Sequence, residues 1–255
     1  MAHTNTKPRY GRTVITLFTA SLVTGLIWLA RIDQQQAPEP IPDFAAIADV
    51  NARKDAFFRY LGPAIEAVNQ ERADERRRLL AIQQRMAEGG SLTYWDRRRL
   101  RLWAERYEIE YQPDNLASVI DPLLVQLDQI PMSMALAQAA MESAWGTSRF
   151  AVEGNNYFGQ WCYSPGCGLI PSSRAAGARH EVRVFNSAEE SIRAYFRNIN
   201  SHAAYRDLRE IRAAIRNADL PLSGTVLVEG LGNYSERGQD YIDELRAVIE
   251  QNDLE

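Results

Sequence analysis

Histidine and cysteine are scarce in this 255-residue chain, with three of the first and two of the second. His3, His180 and His202 are scattered, and the cysteines have no matching Cys-x-x-Cys pair nearby. A structural metal site needs clustered nitrogen and sulfur ligands, so no metal is expected and no other cofactor is implied. His180 and His202 read as structural. An excess of positive charge is also missing: 29 Lys and Arg face 33 Asp and Glu. Leaving out the four basic residues up to Arg31, 25 face 33, a net of −8. Such an acidic body is a poor nucleic-acid partner by bulk electrostatics. There is no internal repeat.

One uncharged run stands out. Lys7, Arg9 and Arg12 precede Thr13 to Ala30, and Arg31 closes it. As a helix it would span about 27 Å, enough for the hydrocarbon core of a bilayer. The basic flank predicts a cytoplasmic segment over 1–12 and a single-pass signal anchor over 13–30. The rest would then be exported and stay tethered to the membrane. A cleavable signal peptide competes, although Trp28 and Leu29 ahead of Ala30 make a poor small-x-small cleavage site. Residues 31–43, with Pro38, Pro40 and Pro42, read as a stiff solvated tether. Cys162 and Cys167 flank a Pro165-Gly166 turn, and tight spacing in an exported body predicts a local disulfide.

Beyond the tether the pattern is mainly helical. A charged helical extension is expected over 44–112, with a break or kink at Gly62-Pro63 because proline cannot continue the ladder. Within it a helix over 92–110 offers Tyr94, Trp95, Leu100, Trp103 and Tyr107 for burial. Arg76 to Arg78, and Arg97 to Arg99 with Arg101, read as solvated faces balanced by Glu71, Asp74, Glu75 and Glu105. A second region, 113–255, is expected to carry the chemistry. It opens with a helix over 115–129, and Pro131 suits the first turn of the next. Residues 155–178 are aromatic and rich in glycine, and His180 to Phe185 alternates like a half-buried strand. Ser187 to Glu190 has the form of a capping box, and further helices follow over 205–217, 223–231 and 239–251. The expected class is α+β, mostly α, with a small β lobe inserted after the helix that carries Glu142.

Glu142 is a lone carboxylate near the end of an apolar run, Met134 to Met141, that Gly146 breaks. Apolar surroundings disfavour its charged form, raising its pKa toward the range of a general acid. Such an acid can protonate a poor leaving group such as a sugar oxygen. Trp145 is placed to pack beside it and keep water away. As a mere helix-end carboxylate Glu142 would be disfavoured by the macrodipole.

The stretch Ala137 to Ser148 is followed in order by Asn155-Asn156-Tyr157-Phe158-Gly159, Val184 to Ser187, Tyr195 to His202, and Gly232-Asn233-Tyr234-Ser235-Glu236-Arg237-Gly238. This ordered set resembles the bacterial peptidoglycan-hydrolysing endo-β-N-acetylglucosaminidases, their Bax-type members in particular. It covers about residues 130–252. The resemblance implies a lysozyme-like domain that cleaves the β-1,4 bond between N-acetylglucosamine and N-acetylmuramic acid in peptidoglycan strands. It puts Glu142 at the catalytic acid and Tyr234 beside the reacting sugar. A second carboxylate would come from the small lobe, where Glu181 is the one acidic residue between Cys167 and Phe185. Glu181 pairing with Arg179 or Arg183 is the simpler reading of the same residue. The substrate's own 2-acetamido oxygen could also replace it, giving retention rather than inversion. Tyr157, Trp161 and Asn156 are the expected sugar contacts, with fixing the turn after the helix as the alternative for Asn156, while Phe158 is expected in the core. Protein partners are not legible. A lysozyme or lytic transglycosylase cutting the other linkage, and a non-catalytic glycan-binding or scaffold protein, are the competing readings.

Overall fold

A 38-residue helix, α1 (Val50–Ala87), threads two separate hydrophobic cores. The structure, a computed structural model, describes residues 40–172, 174 and 177–255. The expected cytoplasmic segment, the expected membrane span and most of the tether lie outside the described residues. No helix among the described residues is long and apolar enough to cross a membrane.

The expected break at Gly62-Pro63 does not occur, and α1 runs through it. Pro63 removes one intrahelical bond, a cost of about 3 kcal/mol. Phe57, Leu61, Ile65 and Val68 are buried along one face of the same segment. Each such side chain contributes about 1.5–3 kcal/mol on burial, so packing outweighs the lost bond. Farther along α1, Leu79 and Ile82 meet Leu100 and Trp103 of α2 (Tyr94–Arg106) and Val119, Ile120 and Leu123 of α3 (Ala117–Gln126). Thr93 and Asp96 form a capping box at the start of α2. Tyr107 is buried as expected, but Tyr94 and Trp95 are exposed because α2 buries only the stripe through residues 96, 100 and 103.

Arg76 corrects the picture of solvated arginine faces. Its Nη1 donates to the carbonyls of Leu124 (2.5 Å) and Leu127 (3.2 Å) and pairs with Asp128 at 3.2 Å. The fully buried Arg212 donates to the carbonyls of Val125 (3.0 Å) and Gln129 (2.9 Å), and Arg216 binds Asp128 at 2.8 Å. Cations thus satisfy the orphan carbonyls and the negative end of α3. Burial raises the pKa of Asp128, but Arg216, Arg212 and Arg76 together hold its carboxyl below the usual aspartate range.

Next come α4 (Met132–Glu142), with Pro131 just ahead of it as its N-cap, and α5 (Arg149–Gly154). Three short antiparallel strands follow: β1 (Trp161–Cys162), β2 (Gly168–Leu169) and β3 (Glu181–Arg183), in the order β1-β3-β2. Trp161 pairs with Val182, and Gly168 with Arg183. The predicted strand is therefore present but limited to three residues. The predicted disulfide joins Cys162 and Cys167 across the β1–β2 turn.

The capping box before α6 (Ala188–Ser201) is altered by one residue. Ser187 Oγ accepts from the N–H of Glu190 at 3.2 Å, while the Glu190 carboxylate accepts from the N–H of Asn186 at 3.0 Å. The chain closes with α7 (Arg206–Asn217), α8 (Gly224–Leu227) running into a 3-10 turn to Leu231, and α9 (Gln239–Gln251). The class is α+β, mostly helical with one small sheet, as the sequence predicted.

Candidate active site

Glu142 is the last residue of α4, whose residues from Ser133 to Ala140 are all buried. The chain then leaves the helix abruptly. Ser143 Oγ donates to the carbonyl of Ala139 at 2.6 Å and accepts from the N–H of Gly146 at 2.9 Å. Ala144, Trp145 and Gly146 have successive φ values of 49°, 58° and 77°. Left-handed conformations cost non-glycine residues about 1–2 kcal/mol each. At Gly146 only hydrogen fits, since a Cβ would lie 2.4 Å from the Phe44 ring. The turn is held by Trp145, whose ring packs edge-on against Phe57 at 5.9 Å and Phe58 at 5.4 Å. Trp145 therefore anchors the helix end to α1, a different role from the expected shielding of Glu142.

The shielding comes from tyrosines instead. Tyr241 of α9 donates to Glu142 Oε1 at 2.9 Å and accepts from Gln138 Nε2 at 3.2 Å. Gln138 Oε1 in turn accepts from the hydroxyl of the buried Tyr195 at 2.5 Å. Each phenol has one proton, so the chain of donors runs in one direction, from Tyr195 through Gln138 and Tyr241 to Glu142. A flipped Gln138 amide would draw Tyr241's proton away and leave an ionised Glu142 without its donor at Oε1. Tyr241 also stacks on Tyr234 (5.3 Å, 7° between planes), and Tyr234 packs at 5.8 Å on Tyr205. The other oxygen, Oε2, borders Gly159, where a Cβ would come within 3.5 Å of it.

Burial pushes the Glu142 pKa above the ordinary glutamate value, while the bond from Tyr241 and the charge of Arg237 partly counter it. Tyr241 is driven far above the usual phenol range, by burial first and then by the charge of Glu142. It therefore stays a proton donor. Replacing Tyr241 by Phe removes a donor to the carboxylate. The pKa of Glu142 should rise further, so the basic limb of kcat/KM moves to higher pH while the rate falls about tenfold. A pH–rate profile of Tyr241→Phe checks this; an unmoved limb would mean that the hydrogen bond does not tune Glu142.

The residues expected from sequence are placed unevenly. Tyr234 lies beside Tyr241, its hydroxyl donating to the carbonyl of Phe158 at 3.1 Å, and its pKa is raised by burial and then by Glu142. Phe158 is in the core, stacked on Tyr195 at 4.0 Å. Trp161 is 55 % exposed and stacks on His180 at 4.1 Å, leaving its outer face open.

Two expected sugar contacts are corrected. Tyr157 is only 1 % exposed, enclosed by Phe57 and Tyr60, and so faces the core. Asn156 is equally buried, its Nδ2 donating to the carbonyls of Gln160 and Arg183 (both 2.8 Å) and its Oδ1 accepting from the N–H of Gln160 (3.0 Å). Its polar atoms are spent on joining the α5 loop to β3.

Glu181 sits in a different setting from the one expected of a base. It is 7 % exposed, and its two oxygens accept from the N–H groups of Gly166 (3.0 Å) and Gly168 (2.8 Å). Those backbone bonds, with Arg174 adding to them, hold its pKa below the ordinary value. No ion pair to Arg179 or Arg183 forms among the described residues. Glu181 and the sulfurs of Cys162 and Cys167 lie within 4.8 Å of one another, but the disulfide removes both thiolates as ligands.

Sequence reasoning missed the Tyr241 and Tyr195 roles. Gln138 carried a signal, being the one polar side chain a full turn before Glu142 and on the same helix face. Tyr241 carried none, because 99 residues separate it from Glu142.

The family described as mannosyl-glycoprotein endo-β-N-acetylglucosaminidase, the glucosaminidase family, matches residues 124–254. That span contains α4, the sheet, Tyr195, Tyr234 and Tyr241. The chain is also 34 % identical over 212 residues to the protein bax of Escherichia coli (strain K12), covering 83 % of this chain and 74 % of the relative. No solved structure matches. An apolar-set carboxylate on a tyrosine relay, inside a region that matches this family over half the chain, leads to one conclusion: the protein belongs to the glucosaminidase family and is a glycoside hydrolase of endo-β-N-acetylglucosaminidase type.

Proposed function

We propose that the protein cleaves the β-1,4 bond from N-acetylglucosamine to N-acetylmuramic acid in peptidoglycan, with Glu142 as the general acid. The directed hydrogen bond from Tyr241 carries this reading. With Tyr241 donating to Oε1, Oε2, the oxygen beside Gly159, is left to carry the acid proton. Burial disfavours the ionised form of Glu142 and raises its pKa, the direction that proton donation to a glycosidic leaving oxygen requires.

The proton moves from Oε2 to the bridging oxygen as the bond to the anomeric carbon breaks. The engagement of Glu181 by two backbone N–H groups favours a route without a second protein carboxylate. In that route the 2-acetamido oxygen closes on the anomeric carbon. Glu142, now a carboxylate, takes a proton from water as the water opens the ring intermediate, and configuration is retained. Tyr234 supports Tyr241 by stacking, and its position beside Glu142 suits orientation of the acetamido group. Trp161 offers a flat face to a sugar ring.

Glu181 then organises the disulfide turn. Glu181→Gln should keep turnover within about an order of magnitude of wild type, well short of the loss expected on removing a catalytic base. A loss matching that of Glu142→Gln would restore Glu181 as a catalytic group.

A single free acid also suits a lytic transglycosylase. Digestion of purified sacculi followed by mass analysis of the fragment ends separates the two. N-acetylglucosamine at the new reducing end is expected; reducing-end or 1,6-anhydro muramic acid would replace this reading with its rival. The run over 13–30 and the disulfide support attachment to the inner membrane with the hydrolase in the periplasm.

A further inference from the structure

Tyr94 and Trp95 begin α2 in water, 71 % and 59 % exposed, although aromatic side chains of this size ordinarily dominate burial. Their rings meet edge to face at 5.3 Å, and the Arg98 guanidinium lies over the Trp95 ring at 5.8 Å. The buried stripe of α2 faces the other way, through Leu100, Trp103 and Ala104. Arg98 sits one turn from Tyr94, Trp95, Arg101 and Leu102, all of them exposed, and so occupies the middle of the outer face.

The charge on this face is not spent within the fold. Asp96 takes Arg85 at 2.6 Å and Arg99 at 3.8 Å, and Glu75 takes Arg106 at 2.8 Å. Arg97, Arg98 and Arg101 form no ion pair among the described residues, and Glu105 is the acid beside them. Three arginines less one glutamate leave a local surplus of positive charge, on a body whose net charge beyond Arg31 is −8. Exposed aromatics gathered with unpaired cations mark a binding surface. A bilayer surface would favour an apolar outer face with arginines on the opposite, polar side, whereas here rings and arginines share one side. A nucleic acid is opposed by the charge of the body. An acidic polysaccharide matches both groups: the C–H faces of its sugars suit flat rings, and its carboxylates suit the guanidinium fork.

We infer that the outer face of α2 is a second glycan-binding surface, on which Tyr94, Trp95, Arg98 and Arg101 hold an acidic polysaccharide. It is separate from the catalytic centre, since α2 packs on the second core while the helix that ends in Glu142 packs in the first. Peptidoglycan carries both sugar rings and carboxylates, and naming it as the polymer rests on the proposed function. Bound there, the hydrolase would stay on a strand between cleavages at Glu142.

The test is cosedimentation of the full chain with purified sacculi, in the Glu142→Gln background so that the polymer stays whole. Trp95→Ala and Arg98→Gln change exposed side chains and should leave the thermal unfolding midpoint in place. Each should weaken retention on sacculi about fivefold, the scale of one exposed stacking or charge contact, and Arg98→Gln should also flatten its salt dependence. With Glu142 restored, cleavage of short soluble glycan fragments should be unchanged by either substitution. Unchanged retention in either variant, or an equal loss on the short fragments, would overturn the assignment. So would a loss confined to phosphatidylglycerol vesicles, which would give the face to a lipid surface. Retention that depends on both residues, without any cleavage by the wild type, would sink the Glu142 reading and leave this one standing.

Discussion

Glu142→Gln is expected to lower turnover of purified sacculi by about 10²- to 10⁴-fold, the usual contribution of a positioned general acid. The substitution keeps the side-chain volume. Its amide oxygen can still accept from Tyr241, so the relay and the helix end survive. What disappears is the proton on the second oxygen. Release of new reducing ends measures the loss, and cosedimentation with sacculi checks that binding is retained. Undiminished turnover in Glu142→Gln would refute an acid role for Glu142. Binding without turnover in the wild-type protein would favour a glycan-binding module instead.

The largest effect on stability is expected at Asp128. Asp128→Ala strands Arg76, Arg212 and Arg216 around a site that is almost wholly buried. Removing one partner of a buried charge cluster typically costs about 3–5 kcal/mol, because the remaining charges stay desolvated. Urea unfolding of wild type and variant gives the difference. The pH dependence has a definite sign. The folded pKa of Asp128 lies below its unfolded value of about 3.9, so the contribution is fully present above that value. It is lost as pH falls through the lower, folded pKa, and the two proteins should converge in stability there. A difference under about 1 kcal/mol at neutral pH would place this cluster with ordinary surface pairs.

The order of elements and the position of Glu142 were legible because both are local. Hydrophobic periodicity, caps and the Pro-Gly turn report on neighbouring residues, and the disulfide closes a five-residue separation. Pro63 was misjudged because its helical cost is local, whereas the burial that overrides it comes from α4 and α6. Arg76 looked like one member of a solvated run. Its carboxylate partner lies 52 positions away, at the end of a helix whose carbonyls it also satisfies. Tyr157 and Asn156 were drawn toward the substrate by residue type, since aromatics and amides suit sugars. The same chemistry suits a core tyrosine and a loop-joining amide, and burial decided between them. Tyr241 was not recoverable from one sequence, because nothing in an amphipathic C-terminal helix says which distant carboxylate its tyrosine will meet.

The central claim is that burial raises the pKa of Glu142 for its role as an acid while the hydrogen bond from Tyr241 holds it partly back. Titration of its side-chain carboxyl by 13C NMR tests that claim most directly. A midpoint above that of free glutamate, about 4.3, is expected, with a further rise in Tyr241→Phe. A midpoint at or below the free value would contradict it, leaving Glu142 an ordinary ionised carboxylate at the pH where it must act as an acid.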